Sequence, residues 1–91
     1  DMIRRAVAAE PENPAYLDSM GWVLFKQGKP GEALTWLEKA VRLLPEPDAT
    51  VYDHLGDVLA ALGRKSDARD AWQKSLSLEK SEAVQKKLNA P

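Results

Sequence analysis

A chain of 91 residues is enough for one small domain, in which the buried share of the surface stays modest. Its 13 Lys and Arg face 14 Asp and Glu, a formal net charge of -1 that excludes the basic field by which nucleic acid or anionic lipid is drawn. With no cysteine there is neither a disulfide framework nor a thiolate metal site, and both reducing and oxidising compartments suit it. No apolar run approaches the roughly 18 residues that span a bilayer. Asp1-Met2-Ile3-Arg4-Arg5 lacks the apolar core of a signal peptide, so any export signal is expected outside this segment and the compartment stays open.

Asn13-Pro14 reads as a helix start, with Asn capping free N–H groups and Pro at a first position where no N–H is needed. Leu17, Met20, Gly21 and Leu24 then recur at three and four residues as one apolar stripe, and Gly28 supplies the left-handed residue that ends the helix. After the turn Lys29-Pro30-Gly31 a second helix runs through Ala33, Leu34, Leu37, Ala40, Val41 and Leu44 and stops before Pro45-Glu46-Pro47. Connections this short force antiparallel neighbours. Asp48 is expected to cap a third helix carrying Tyr52, Leu55, Gly56 and Leu59, ended by Gly63, and Ser66 a fourth carrying Ala68, Trp72 and Leu76. Ser81-Glu82 opens a short last helix with Ala83, Val84 and Leu88 among Lys86 and Lys87, polar on its outer side as a terminal cap must be.

The two hairpins say the same thing. Ala33 and Ala68 stand 35 residues apart, and Leu17, Met20, Gly21, Leu24, Gly28, Leu37, Ala40 and Pro45 return as Tyr52, Leu55, Gly56, Leu59, Gly63, Trp72, Ser75 and Lys80. A period of that length with helical spacing inside it means stacked helix pairs, each needing a neighbour to cover its apolar face. Stepping back one period of about 34 residues from Leu37, Ala40 and Pro45 lands on Ile3, Ala6 and Pro11, matching types that mark the tail of a preceding repeat. The expected organisation is therefore a tail helix over 1–12, full repeats over 13–47 and 48–80, and a capping helix over 81–91, all one domain. Gly inside a helix costs about 1 kcal/mol relative to Ala, so Gly21 and Gly56 at equivalent places imply close packing, with Ala33 and Ala68 as the small side chains expected to face them.

These residues resemble the tetratricopeptide repeat, whose pattern of large apolar, Leu-Gly, large apolar, Gly, Ala, aromatic, Ala and Pro is met at Met20-Gly21, Leu24, Gly28, Ala33, Leu37, Ala40 and Pro45. The second copy meets it at Tyr52, Leu55-Gly56, Leu59, Gly63, Ala68 and Trp72, but carries Ser75 for the late Ala and Lys80 for the Pro. The stretch from Tyr16 to Lys39 is similar to C-terminal repeats of bacterial tetratricopeptide proteins. The resemblance implies an all-α, right-handed α-solenoid of antiparallel helix hairpins, and a noncatalytic scaffold that binds a peptide or protein segment in its concave groove. It also implies which positions face inward: Ala15, Asp18, Trp22, Phe25 and Lys26 in the first copy, and Thr50, Asp53, Asp57, Ala60 and Ala61 in the second.

Asp18, Trp22 and Phe25 fall at i, i+4 and i+7, on one helix face away from Gly21. Trp22 has two readings, a ligand anchor or the cover of a neighbouring helix, and Phe25 leans toward packing against the next repeat. Asp18, Asp53 and Asp57 either attract a basic ligand or form a plain solvated face, with Lys26 the one cation among these positions. Trp36 is expected half exposed on the outer side. His54, the single histidine, lies beside Asp53 and near Asp57, short of a zinc ligand set, and no strained nucleophile turn or phosphate loop accompanies it. No cofactor, metal, catalytic group, nucleic acid or membrane contact is expected; the partner is a protein or peptide. The alternative is a structural role at the end of a longer array, with self-association through Ile3 and Val7.

Overall fold

The computed structural model describes residues 2–90; Asp1, at the head of the expected tail helix, and Pro91, at the end of the expected cap, lie outside them. Those residues form six helices and no strand: α1 (Met2–Ala9), α2 (Pro14–Lys26), α3 (Pro30–Leu43), α4 (Ala49–Ala61), α5 (Lys65–Leu78) and α6 (Glu82–Asn89). The helices pack chiefly in chain order, α2 on α3, α3 on α4 and α4 on α5, with a further contact between α2 and α4. The result is an all-α helical repeat stack, elongated at 40 × 28 × 18 Å.

Local chemistry sets the helix ends. The Asn13 carboxamide accepts from the N–H groups of Ala15 and Tyr16, the Asp48 carboxylate from those of Thr50 and Val51, and the Ser81 hydroxyl from that of Val84. Gly28 and Gly63 adopt φ of +80° and +78°, the left-handed conformation that stops α2 and α4. Ser66 does not cap α5: Arg64 occupies the cap position without a side-chain hydrogen bond, and Ser66 lies inside the first turn. The tight turn after Gly63 reproduces the turn after Gly28, where Lys29 stands, so the helix begins at Lys65, before the hydroxyl could reach a free N–H.

Three apolar clusters run through the stack. Met20, Leu24, Ala33, Leu37 and Val58 form one, Leu17, Ala40 and Val51 another, and Leu59, Ala68 and Ala71 the third. Val58 and Val51 belong to the second hairpin and the rest of their clusters to the first, so the core is continuous between repeats. Val7 and Trp36 both pack against the first two clusters, which leaves Trp36 half-buried.

The helix glycines face different groups in the two copies. A β-carbon on Gly21 would stand 2.8 Å from Leu37 Cγ and 3.2 Å from the Ala33 carbonyl oxygen. One on Gly56 would run into the Trp72 indole, so the group opposite Gly56 is Trp72 and not Ala68, because the second copy carries an aromatic where the first has Leu37. Ser75, standing for the late Ala, is 2% exposed, and its hydroxyl donates to the Ala49 carbonyl at 2.7 Å. The buried hydroxyl is thereby satisfied.

Candidate protein-binding face

The first helix of each hairpin, α2 and α4, brings its face residues together across a shared seam. Asp18 on α2 and His54 on α4 meet there, imidazole Nδ1 to Asp18 Oδ1 at 2.9 Å. An ionised carboxylate only accepts, so Nδ1 carries the proton and donates it. A face of the same imidazole stacks on Trp22, with ring centroids 4.1 Å apart and planes 20° from parallel. Phe25 lies tilted beside Trp22 at 5.3 Å, and Lys26 Nζ sits 4.8 Å from the Trp22 ring centroid. Cation and aromatic attract through the ring quadrupole. Trp22 is half-buried and Lys26 exposed, so the indole is held in place while part of its surface still meets solvent.

Phe25 is also half-buried, packed against the cluster that contains Met20, Leu24 and Val58. Toward the helix starts the seam widens into a cleft of about 420 Å³, whose walls include Ala15, Asp18 and Ser19 from α2 and Thr50 and Val51 from α4. Ala60 and Ala61 are exposed at the far end of α4. Trp22, Phe25, Asp18 and Lys26 therefore form one contiguous cluster, to which His54 belongs.

Asp53 and Asp57 lie elsewhere on α4, and both reach Lys87 of α6. The Lys87 ammonium donates to Asp53 Oδ1 at 2.7 Å and to Asp57 Oδ2 at 3.1 Å. Burial, the largest influence, pulls the Lys87 pKa down, but the hydrogen bonds and charges of Asp53 and Asp57 together outweigh it and leave the group above its ordinary 10.5. The carboxylates expected to attract a basic ligand are thus met within the chain, Asp18 by His54 and the other two by Lys87. Sequence reasoning placed neither partner, although a signal was available: Lys87 stands 34 residues after Asp53, one repeat further on.

Among the described residues no three His, Cys, Asp or Glu side chains converge in a way that would hold a metal ion, and no helix is long and apolar enough to cross a membrane. The arrangement offers a pre-formed aromatic surface with a cation at its edge and a cleft at its side.

Residues 15–90 match the tetratricopeptide repeat-like domain family. The chain is 40% identical over 57 residues, 63% of its length, to a TPR repeat-containing protein of Pseudomonas aeruginosa, and 28% identical over 82 residues, 90% of its length, to tetratricopeptide repeat protein 13 of Homo sapiens. It spans 9% of the length of each of these relatives. Among solved structures, the N-terminal domain of stress-induced protein-1 from C. elegans superposes with a TM-score of 0.81 at 24% identity, covering 96% of this chain and 73% of that one.

Proposed function

The chain belongs to the tetratricopeptide repeat-like family, whose fold generally mediates protein–protein interaction, and from that footing we propose that it is a noncatalytic scaffold binding a peptide or protein segment along the α2–α4 seam. The segment lies over Trp22, with one end in the cleft beside Ala15, Asp18 and Thr50 and the other near Lys26. The observation that carries this reading is the fixed Trp22 indole, stacked 4.1 Å from His54 next to that cleft. An anchor already held in its rotamer loses little freedom when a ligand covers it. Tryptophan is also the side chain most enriched at binding hot spots.

Selection of a random peptide library on the intact chain tests the proposal. Enriched peptides are expected to lose about tenfold or more in affinity on Trp22→Ala, a change near 1.4 kcal/mol. Peptides that bind the variant as tightly as the parent would place binding elsewhere.

A second reading rests on α1. None of its residues is buried and Met2 is 84% exposed, so, although Ile3 and Val7 pack inward on the core clusters, the outer side of this helix can stack on a further repeat or a second copy. Light scattering over a concentration series separates it from the first, since a seam binder stays monomeric and a stacking face pairs.

A further inference from the structure

The near-zero net charge of the chain hides a separation of charge along the stack. At one end, the loops before α2 and before α4 border common cavities, and the first turn of α4 borders another with the loop after α5. Those loops carry Glu10, Glu12, Glu46, Asp48 and Glu79 against one cation, Lys80. The loops at the other end, 27–29 and 62–64, hold Lys29 and Arg64 and no carboxylate, with Lys26 ending α2 and Lys65 starting α5 beside them.

The helix ends themselves do not favour this arrangement. Lys29 and Arg64 stand at the N-caps of α3 and α5, where a carboxylate or hydroxyl would bond free N–H groups and a cation meets the positive end of the helix; neither makes a side-chain cap bond. Glu79 stands at the C-cap of α5, the negative end. Asp67 offsets Arg64 at 2.9 Å, but among the described residues Lys26 and Lys29 have no carboxylate partner. Charges that run against their own helices mark a role outside them.

Both helices of the seam start at the acidic end and finish at the basic one. At the start, Asp18 and Asp48 border the same cleft. The His54 bond to Asp18 and both cap bonds to Asp48 use Oδ1, so among the described residues neither Oδ2 carries a bond. At the finish, exposed Lys26 lies over Trp22. Asp53 and Asp57 add no free charge between these points, because Lys87 holds both.

We propose that the segment bound along the α2–α4 seam is bipolar, with a basic residue at the cleft beside Asp18 and Asp48, an apolar residue on Trp22 and an acidic residue facing Lys26. This rests on the Trp22 seam as the binding surface and adds the chemistry of its ligand. Helix rise sets the spacing: Ala15 to Trp22 is about 10 Å and Trp22 to Lys26 about 6 Å, which an extended peptide covers in about three and about two residues. The basic residue therefore stands three positions from the apolar one, and the acidic residue two positions away on its other side. Charge complementarity then rejects segments with the two charges exchanged.

The probes are end-blocked peptides with phenylalanine as the apolar residue and serine between, in which lysine and glutamate fill the two charged positions in all four combinations, each made in both chain directions. NMR titration of the full chain, following the Trp22 indole N–H, reads even weak affinities. The peptide with lysine three positions and glutamate two positions from phenylalanine is expected to bind about tenfold tighter than the one with the charges exchanged, and the difference should shrink in high salt. Lys26→Glu, an exposed substitution, should move the preference to the peptide with lysine at both positions. Equal affinity for the four combinations, no binding by any of them, or an unchanged preference in Lys26→Glu overturns the proposal. Trp22→Ala separates it from the seam reading. If that variant binds the tightest peptide as the parent does, the seam itself is wrong; binding that needs Trp22 but shows no charge preference removes only the charge order.

Discussion

The Trp72 indole occupies the space where a β-carbon on Gly56 would stand, with Nε1, Cδ1 and Cε2 as the atoms nearest that position. The indole Nε1 is buried there without a hydrogen-bond partner among the described residues, so the ring is held by shape and not by its polar atom. Gly56→Ala gains about 1 kcal/mol of helix propensity but forces a rigid ring to move, and the net expectation is destabilisation by about 1–3 kcal/mol. Urea melts check it. Trp72→Leu in the Gly56→Ala background should recover part of the loss, because the smaller side chain leaves room for the added methyl.

At the equivalent position of the first copy the constraint involves backbone. Gly21→Leu and Ala33→Leu are each expected to cost a few kcal/mol, since Leu37 Cγ and the Ala33 carbonyl already crowd the site and Ala33 is fully buried. Gly31→Ala is the control: nothing lies within 4 Å of its added carbon, and the substitution should leave stability unchanged or raise it. Thermal melts of Gly21→Leu and Ala33→Leu that coincided with the parent would contradict the packing described for α2 and α3.

Lys87 links stability to pH with a definite sign. Its folded pKa lies above the ordinary 10.5, so the stabilisation from Asp53 and Asp57 is fully present below about pH 10 and disappears as pH rises through the folded value. Lys87→Met should therefore cost about 1 kcal/mol at neutral pH, and the gap between parent and variant should close in strongly alkaline buffer. Denaturant midpoints across that range give the answer.

His54 holds α2 and α4 together through one ring, by its hydrogen bond to Asp18 and its stack on Trp22. His54→Ala removes both and is expected to cost about 1–2 kcal/mol. It should also lower any affinity that depends on a fixed Trp22. His54→Gln at a similar stability cost but with parent affinity would mean that the indole needs no such support.

The helical framework was legible because each of its signals is local: Asn13 and Asp48 at helix starts, Gly28 and Gly63 at helix ends, and a stripe of apolar residues repeated after 35 positions. Ser66 misled because Ser and Asp near a helix start look like a cap whichever turn they occupy, whereas the geometry imposed by Gly63 decided where α5 begins. Asp53 and Asp57 read as free charge because their partner lies 34 and 30 residues away, on a helix that contributes few residues to the pattern. His54 was visible as a lone imidazole beside Asp53; its contact with Asp18, 36 residues back, depends on how two repeats are rotated against each other. Sequence period fixes which helices are neighbours, but that rotation decides which side chains touch.

The proposed binding surface lies at the Trp22 indole. Its most direct test is the indole N–H region of the NMR spectrum, where the three tryptophans give separate signals, during titration with a peptide selected on the intact chain. The Trp22 signal is expected to shift together with the His54 ring protons, while Trp36, packed against the inner clusters, stays in place. A Trp22 signal that does not move when the peptide saturates the protein would contradict it.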